Sequence, residues 1–323
     1  LRGSHWLVNP AGGINERAKV SASLAKNSRI PAPASIVRRP YLFIDAQHGL
    51  GNRMRALASA ACIADATERQ LVVIWRRDHH CQADMVDVFD YAGPVVADDS
   101  DDVMRDSAAK VYNYMEIEPG AQFQEPVLPD SQRFASQHIY IRSAYTLNSP
   151  YYSWEHEDRF LHGLRPSQPV LDLLNQVPFP SDVSAHIRMA TGDGFDHLSW
   201  EAPENWPAIR HEELKLWRAQ SHVSAFITRL DALVAEGACD SLFVACDLPE
   251  TYVTLQERYG DRLRNLPRDL YDRSCAQAQY ALADMMLLAR SKRFLASSGS
   301  SFSDVARRLA PRGCQFEQSG VDF

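Results

Sequence analysis

The chain has 323 residues, 45% hydrophobic and 23% charged, an ordinary globular composition with length for one large domain or two medium ones. It carries 34 Lys and Arg against 41 Asp and Glu, a net charge of -7 that argues against nucleic acid as a partner, because no excess of basic residues is there to grip phosphates. No apolar run approaches the roughly 20 residues of a transmembrane segment and no signal-peptide segment opens the chain, so a cytoplasmic protein is expected, with attachment at a membrane surface left open.

Leu1-Arg2-Gly3-Ser4-His5 reads as the remnant of an expression tag, and residues 1–39, rich in Ala, Ser, Asn and Pro, are set aside as a flexible segment. The ordered pattern opens at Tyr41-Leu42-Phe43-Ile44-Asp45, a short apolar run that ends in Gln47-His48-Gly49-Leu50-Gly51-Asn52. Met54, Leu57, Ala58 and Ala61 then recur at helical spacing before Leu71 to Trp75 supplies a buried strand, which makes a strand-loop-helix-strand unit. Pro94 to Ala97 and His138 to Arg142 are further strands, and Gln168 to Val177, beside Pro166, Pro178 and Pro180, is an amphipathic helix closing the first half. Residues 40–180 therefore read as one Rossmann-like domain.

The pattern restarts at Val183 to Arg188 as a strand. One long helix is expected over residues 211 to 236, a strand over Ser241 to Cys246, a helix over 276 to 290, a strand over Arg293 to Ala296 and a helix over Phe302 to Leu309. Strands alternating with helices predict a parallel sheet, so residues 181–323 form a second Rossmann-like domain. The fold class is α/β with two facing Rossmann-like domains, and such sheets bind ligands beyond the carboxyl ends of their strands. Cys62, Cys81, Cys239, Cys246, Cys275 and Cys314 are scattered through this pattern without the close pairing of a disulfide scaffold, and read as reduced thiols.

Four places carry chemistry. The loop His48-Gly49-Leu50-Gly51-Asn52-Arg53 leads into a helix whose N-terminal N–H groups suit an anion, although two glycines also suit a plain tight turn; Arg53 and Arg55 strengthen the anion reading, with solvated residues of the first helical turn as the alternative. His186 and Arg188 share a strand face, and a guanidinium there suits the diphosphate that leaves when a glycosidic bond forms; the alternative is an internal salt bridge. Asp247 ends a strand, either to hold a nucleotide or to cap the helix beginning near Pro249. Ser297-Ser298-Gly299-Ser300-Ser301-Phe302-Ser303 lies between a strand and a helix and reads as a phosphate cradle, with a plain Ser cap as the alternative.

Together, Gly49-Leu50-Gly51-Asn52-Arg53, Leu164-Arg165-Pro166-Ser167, His186-Ile187-Arg188, Asp247, and Asp284 through Ser301-Phe302-Ser303 resemble the fucosyltransferase superfamily of GT-B architecture. That superfamily includes the bacterial nodulation fucosyltransferases, the α1,6-fucosyltransferases and the protein O-fucosyltransferases, and the resemblance runs over most of residues 41 to 310. It implies an inverting, metal-independent transfer from GDP-fucose or a related GDP-sugar to a glycan, lipid-linked or peptide acceptor, with no cofactor. Arg188 would stabilise departing GDP, His186 and Asp247 would help hold the nucleotide, Ser300, Ser301 and Phe302 would meet the diphosphate and ribose, and Asn52 with Arg53 would close the site. The chain departs from many relatives after His186-Ile187-Arg188, where Met189 to His197 lacks a second arginine. That departure leaves a different linkage or sugar open.

A base must still take the acceptor's proton. His48 is the candidate, with Asp45, Asp193 and Asp196 as competitors and a turn-buttressing role as the alternative. A rival reading takes Val95-Val96-Ala97-Asp98-Asp99-Ser100-Asp101-Asp102 as an Asp-x-Asp metal site of a different sugar-nucleotide transferase. His79-His80-Cys81 contains metal-ligand residue types but reads as a surface loop. A sugar-nucleotide-binding protein without catalysis is the third reading.

Overall fold

Tyr41 to Ala46 is apolar apart from Asp45, and a strand of that kind can be buried on both faces only inside a covered parallel sheet. In the computed structural model, which describes residues 39–98, 100–189 and 207–323, that is its position. The first half runs β1 (Tyr41–Ala46), α1 (Leu50–Ala66), β2 (Gln70–Ile74), α2 (Met85–Val88), β3 (Phe89–Asp90), β4 (Val95–Val96), α3 (Asp101–Ser107), β5 (Lys110–Asn113) and β6 (Ile139–Ser143). A connecting region follows: α4 (Trp154–Gly163), β7 (Arg165–Pro166) and α5 (Gln168–Leu174). The second half runs β8 (Val183–Ile187), α6 (Ala208–Gln220), α7 (Val223–Ala235), β9 (Leu242–Cys246), α8 (Pro249–Tyr259), β10 (Leu263–Arg264), α9 (Cys275–Ala289), β11 (Arg293–Ala296), α10 (Ser301–Leu309) and β12 (Gln315–Gln318).

Each half holds one five-stranded parallel sheet, in the orders β4-β2-β1-β6-β5 and β10-β9-β8-β11-β12. A two-stranded antiparallel pair, β3 with β7, stands apart from both. The fold is thus α/β with two Rossmann-like sheets. One apolar core runs from the first sheet through α1, α9 and α10 to the second, with Leu57, Leu282 and Val305 at or below 1% exposure. The buried Arg308 of α10 adds an ionic tie to α4, donating to Glu157 at 3.0 Å and to Asp158 at 2.7 Å. Among the described residues no helix is long and apolar enough to cross a membrane, and all six cysteines are free thiols.

The single long helix expected over residues 211 to 236 is two helices. Ser221 is fully buried, with its hydroxyl 3.0 Å from that of Ser319 and accepting from Ser298 N, and the imidazole of His222 accepts from Ser224 N to start α7. A polar side chain held by a neighbouring strand end interrupts a periodicity that is continuous in the sequence. Strands β5 and β12 and helices α3 and α4 add to the elements read from the sequence.

Candidate functional site

The strand ends of both sheets converge on a cleft of about 650 Å³. His48 follows β1, Glu116 follows β5 and Tyr145 follows β6 on one wall. Arg188 follows β8, Asp247 follows β9 and Ser297 follows β11 on the other. Helix α6 contributes Arg210, Leu214, Trp217 and Arg218.

The second wall brings together most of the residues expected there. Ile187 and Cys246 are register partners at the ends of β8 and β9, so the next residue of each strand, Arg188 and Asp247, lie side by side with Arg188 Nη1 3.4 Å from Asp247 Oδ2. The internal ion pair weighed from the sequence is therefore present. The Arg188 side chain nevertheless stays 24% exposed, and among the described residues this one long contact leaves most of its donors for a ligand. Asp247 also accepts from Met189 N at 3.0 and 3.1 Å and does not cap α8, whose N-cap position is Leu248.

His186 is buried at 5% exposure, with Nδ1 2.7 Å from Ser303 Oγ and its ring stacked on Phe302 at 4.3 Å. Burial, then the nearby Arg188 and Arg218, hold its pKa well below the usual imidazole value. A neutral ring follows, which orients neighbours by hydrogen bonding and stacking and carries no charge toward a phosphate. Ser297 Oγ donates to His186 O at 2.7 Å and accepts from Arg188 N at 2.9 Å, stitching β8 to the serine loop.

Ser300 caps α10 by accepting from Ser303 N at 3.3 Å, so the plain-cap reading of that serine is correct as far as it goes. The capped end still points its first N–H groups at the cleft, which Ser300, Ser301 and Phe302 line. Gly299 adopts φ +58°, and a Cβ there would collide with the Trp217 ring, so the backbone turns tightly beneath an indole that also lines the cleft. The N-terminus of α1 meets that of α10 here: a Cβ on Gly51 would come within 2.9 Å of the Ser301 carbonyl. Two positive helix ends thus share one cleft, an arrangement that favours an anion.

On the first wall Asn52 and His48 line the cleft, and the His48 ring packs on His80 at 4.6 Å. His48 itself adopts φ +63°. Arg53 stands elsewhere than expected. It is fully buried under Trp75, donating to His48 O at 2.7 Å, Arg76 O at 2.8 Å and Asp78 Oδ2 at 2.7 Å, and so braces the loop from behind. Asp45, a competitor for the base, is buried and engaged by Arg76, Arg142, Tyr140 and Gln47. Asp193 and Asp196 lie outside the described residues.

In the acidic run, Asp101 pairs with Arg76 at 2.9 Å, Asp98 accepts from Ser100 and Asp102 pairs with Arg105; none of these three lines the cleft, and Asp99 is outside the described residues. Among the described residues no three His, Cys, Asp or Glu side chains are grouped to hold a metal ion.

Sequence reasoning missed Glu116, Phe123, Tyr145, Arg210, Trp217 and Arg268 in the cleft, whereas Arg55 reads with Arg53 as a candidate for an anion and Asp284 opens a segment that carries the resemblance. Arg268 and Asp284 form a buried pair at 2.7 Å, and burial, offset in part by Arg268, pushes the Asp284 carboxyl up to about 6. Arg55 lies over the Tyr145 ring, and Arg210 lies over Phe123 and bonds Glu116 at 3.2 Å. The strand-end rule applied to the expected strand ending at Arg142 would have found Tyr145. No local pattern marks Phe123, Trp217 or Arg268, which reach the cleft from loops and from α6.

No protein-family model and no curated protein sequence matches this chain. Solved structures do. NodZ from Bradyrhizobium is 19% identical, with 87% of this chain and 97% of that one covered at a TM-score of 0.55. A structure of NodZ α-1,6-fucosyltransferase soaked with GDP-fucose is 18% identical over 84% and 94%, also at 0.55. POFUT1 in complex with GDP-fucose is 11% identical over 90% and 100%, at 0.56. The fold is that of the two-domain GT-B fucosyltransferases.

Proposed function

We propose that the chain is an inverting glycosyltransferase that moves fucose from GDP-fucose to a hydroxyl acceptor without a metal ion. The observation that carries this reading is the convergence of the exposed Arg188 guanidinium and the N-terminal ends of α1 and α10 on one cleft at the strand ends of both sheets. That convergence occurs in a fold shared with fucosyltransferases whose structures contain GDP-fucose. A departing nucleoside diphosphate accumulates negative charge, and fixed N–H dipoles with a guanidinium stabilise it in a water-poor site without reorganising.

In this reading Arg188 meets the β-phosphate, Asp247 holds Arg188 in place and accepts from the nucleotide, and Ser300, Ser301 and Phe302 receive diphosphate and ribose. Neutral His186 fixes Phe302 and Ser303 behind them. Asn52 closes the site from the opposite wall, with Arg53 as its buried brace.

Calorimetry and thermal unfolding with GDP, UDP and their sugars test the donor assignment. GDP at 100 times its Kd should raise stability by about 2.7 kcal/mol, and UDP by much less. Equal effects of the two nucleotides, or none from either, would overturn the reading. A protein that binds GDP-fucose but releases no fucose from it would be a binder and not an enzyme.

A further inference from the structure

We propose that Glu116 is the catalytic base, the carboxylate that takes the proton from the attacking hydroxyl; this rests on the donor reading above. Direct displacement puts the incoming oxygen on the face opposite the leaving diphosphate. With the diphosphate held by the Arg188 wall, the base belongs on the wall built by β1, β5 and β6.

On that wall Glu116 is, among the described residues, the acid that lines the cleft; Asp247, Asp272, Asp284 and Asp304 line it from the second half of the chain. The other acids near the end of the first sheet are already engaged. Asp45 is enclosed by two arginines and a tyrosine. Glu118 is held by Arg142 and Asn113 and lies off the cleft. Glu116 has a different setting: its side chain is 12% exposed, Arg210 Nε donates to it at 3.2 Å, and the Tyr145 hydroxyl is hydrogen-bonded to it.

Those two contacts hold the carboxylate from α6 and from the end of β6, which fixes its direction as a base requires. A carboxylate accepts about four hydrogen bonds, so capacity for the acceptor's O–H remains. Phe123 packs edge-on to Tyr145 at 5.0 Å beside it and gives the same wall an apolar face for the acceptor. His48 also stands on this wall but belongs to a stack with His80 and His79, at 4.6 and 3.9 Å.

In the step, the acceptor oxygen bonds to the anomeric carbon while the bond from that carbon to the β-phosphate oxygen breaks. GDP leaves with that electron pair, and the acceptor proton passes to Glu116. Water can serve as acceptor, so hydrolysis of GDP-fucose is a sufficient assay on the full chain.

Glu116→Gln keeps the shape and both contacts yet should lower kcat for hydrolysis by about 10²- to 10⁴-fold, with GDP affinity by calorimetry unchanged within about twofold. Formate should restore part of the activity of Glu116→Ala. The acidic limb of the wild-type kcat profile should survive in His48→Ala and vanish in Glu116→Gln; Tyr145→Phe, which removes only an orienting bond, should lose far less. Near-wild-type turnover by Glu116→Gln would overturn the assignment, as would an acidic limb removed by His48→Ala, or a wild-type protein that binds GDP and hydrolyses no donor. A wild-type protein that does not bind GDP would overturn the donor reading first, and the base with it.

Discussion

Replacing Gly51 by alanine probes the close approach of α1 and α10 on which the cleft floor depends. The added Cβ would lie 2.9 Å from the carbonyl carbon and oxygen of Ser301 and 3.0 Å from Phe302 N. All three are backbone atoms, so no side-chain rotation relieves the contact and the helices must part. Overpacking of this kind costs about 1–3 kcal/mol, while alanine for glycine in a helix returns about 0.5–1 kcal/mol. A net loss of about 0.5–2 kcal/mol remains. For the 267 described residues at about 2.1 cal/mol/K each, the unfolding entropy is about 0.6 kcal/mol/K, and Tm should fall by about 1–3 °C. Gly163 is the control: it ends α4 and a Cβ there meets nothing within 4 Å, so Gly163→Ala should leave Tm level or raise it. Scanning calorimetry reads both variants, and titration with GDP should show weaker binding in Gly51→Ala alone. If Gly51→Ala matches Gly163→Ala in Tm and in GDP affinity, the close contact between the helices is not what shapes the cleft.

Arg188→Ala should lower turnover by about two to three orders of magnitude while the protein stays folded, with lysine restoring part, because a transition-state charge is lost; near-normal kcat would remove Arg188 from the mechanism. Asp284 gives a pH signature. Its folded pKa of about 6 lies above the unfolded value of about 3.9, so the native state binds more protons between them, and this group's contribution to stability, about 3 kcal/mol at most, is full below pH 4 and lost as pH rises through 6. Asp284→Asn should flatten that part of the stability curve, measured by urea unfolding at each pH; an unchanged slope would refute the burial of the carboxyl.

The sequence sets the alternation of buried strands with amphipathic helices, and with it the parallel sheets, because burial on both faces leaves continuous apolar runs such as Leu42 to Ile44 and Leu242 to Cys246. It also placed Arg188, Asp247 and the serine loop at strand ends, since a two-residue period and a strand-to-helix switch are local signals. Strand β5 escaped because Lys110-Val111-Tyr112-Asn113 is short and half polar, and with it went Glu116. Tertiary structure alone decided which charges are free for chemistry. Arg53 and Arg55 are two residues apart on one helix, yet Arg53 is consumed by Asp78 and two carbonyls while Arg55 reaches the cleft. Likewise Asp45 is locked between Arg76, just beyond β2, and Arg142 of β6, and Glu116 meets Arg210 across 94 residues of chain. A charged side chain's role depends on which partners folding brings within a few ångströms, and those partners are distant in sequence.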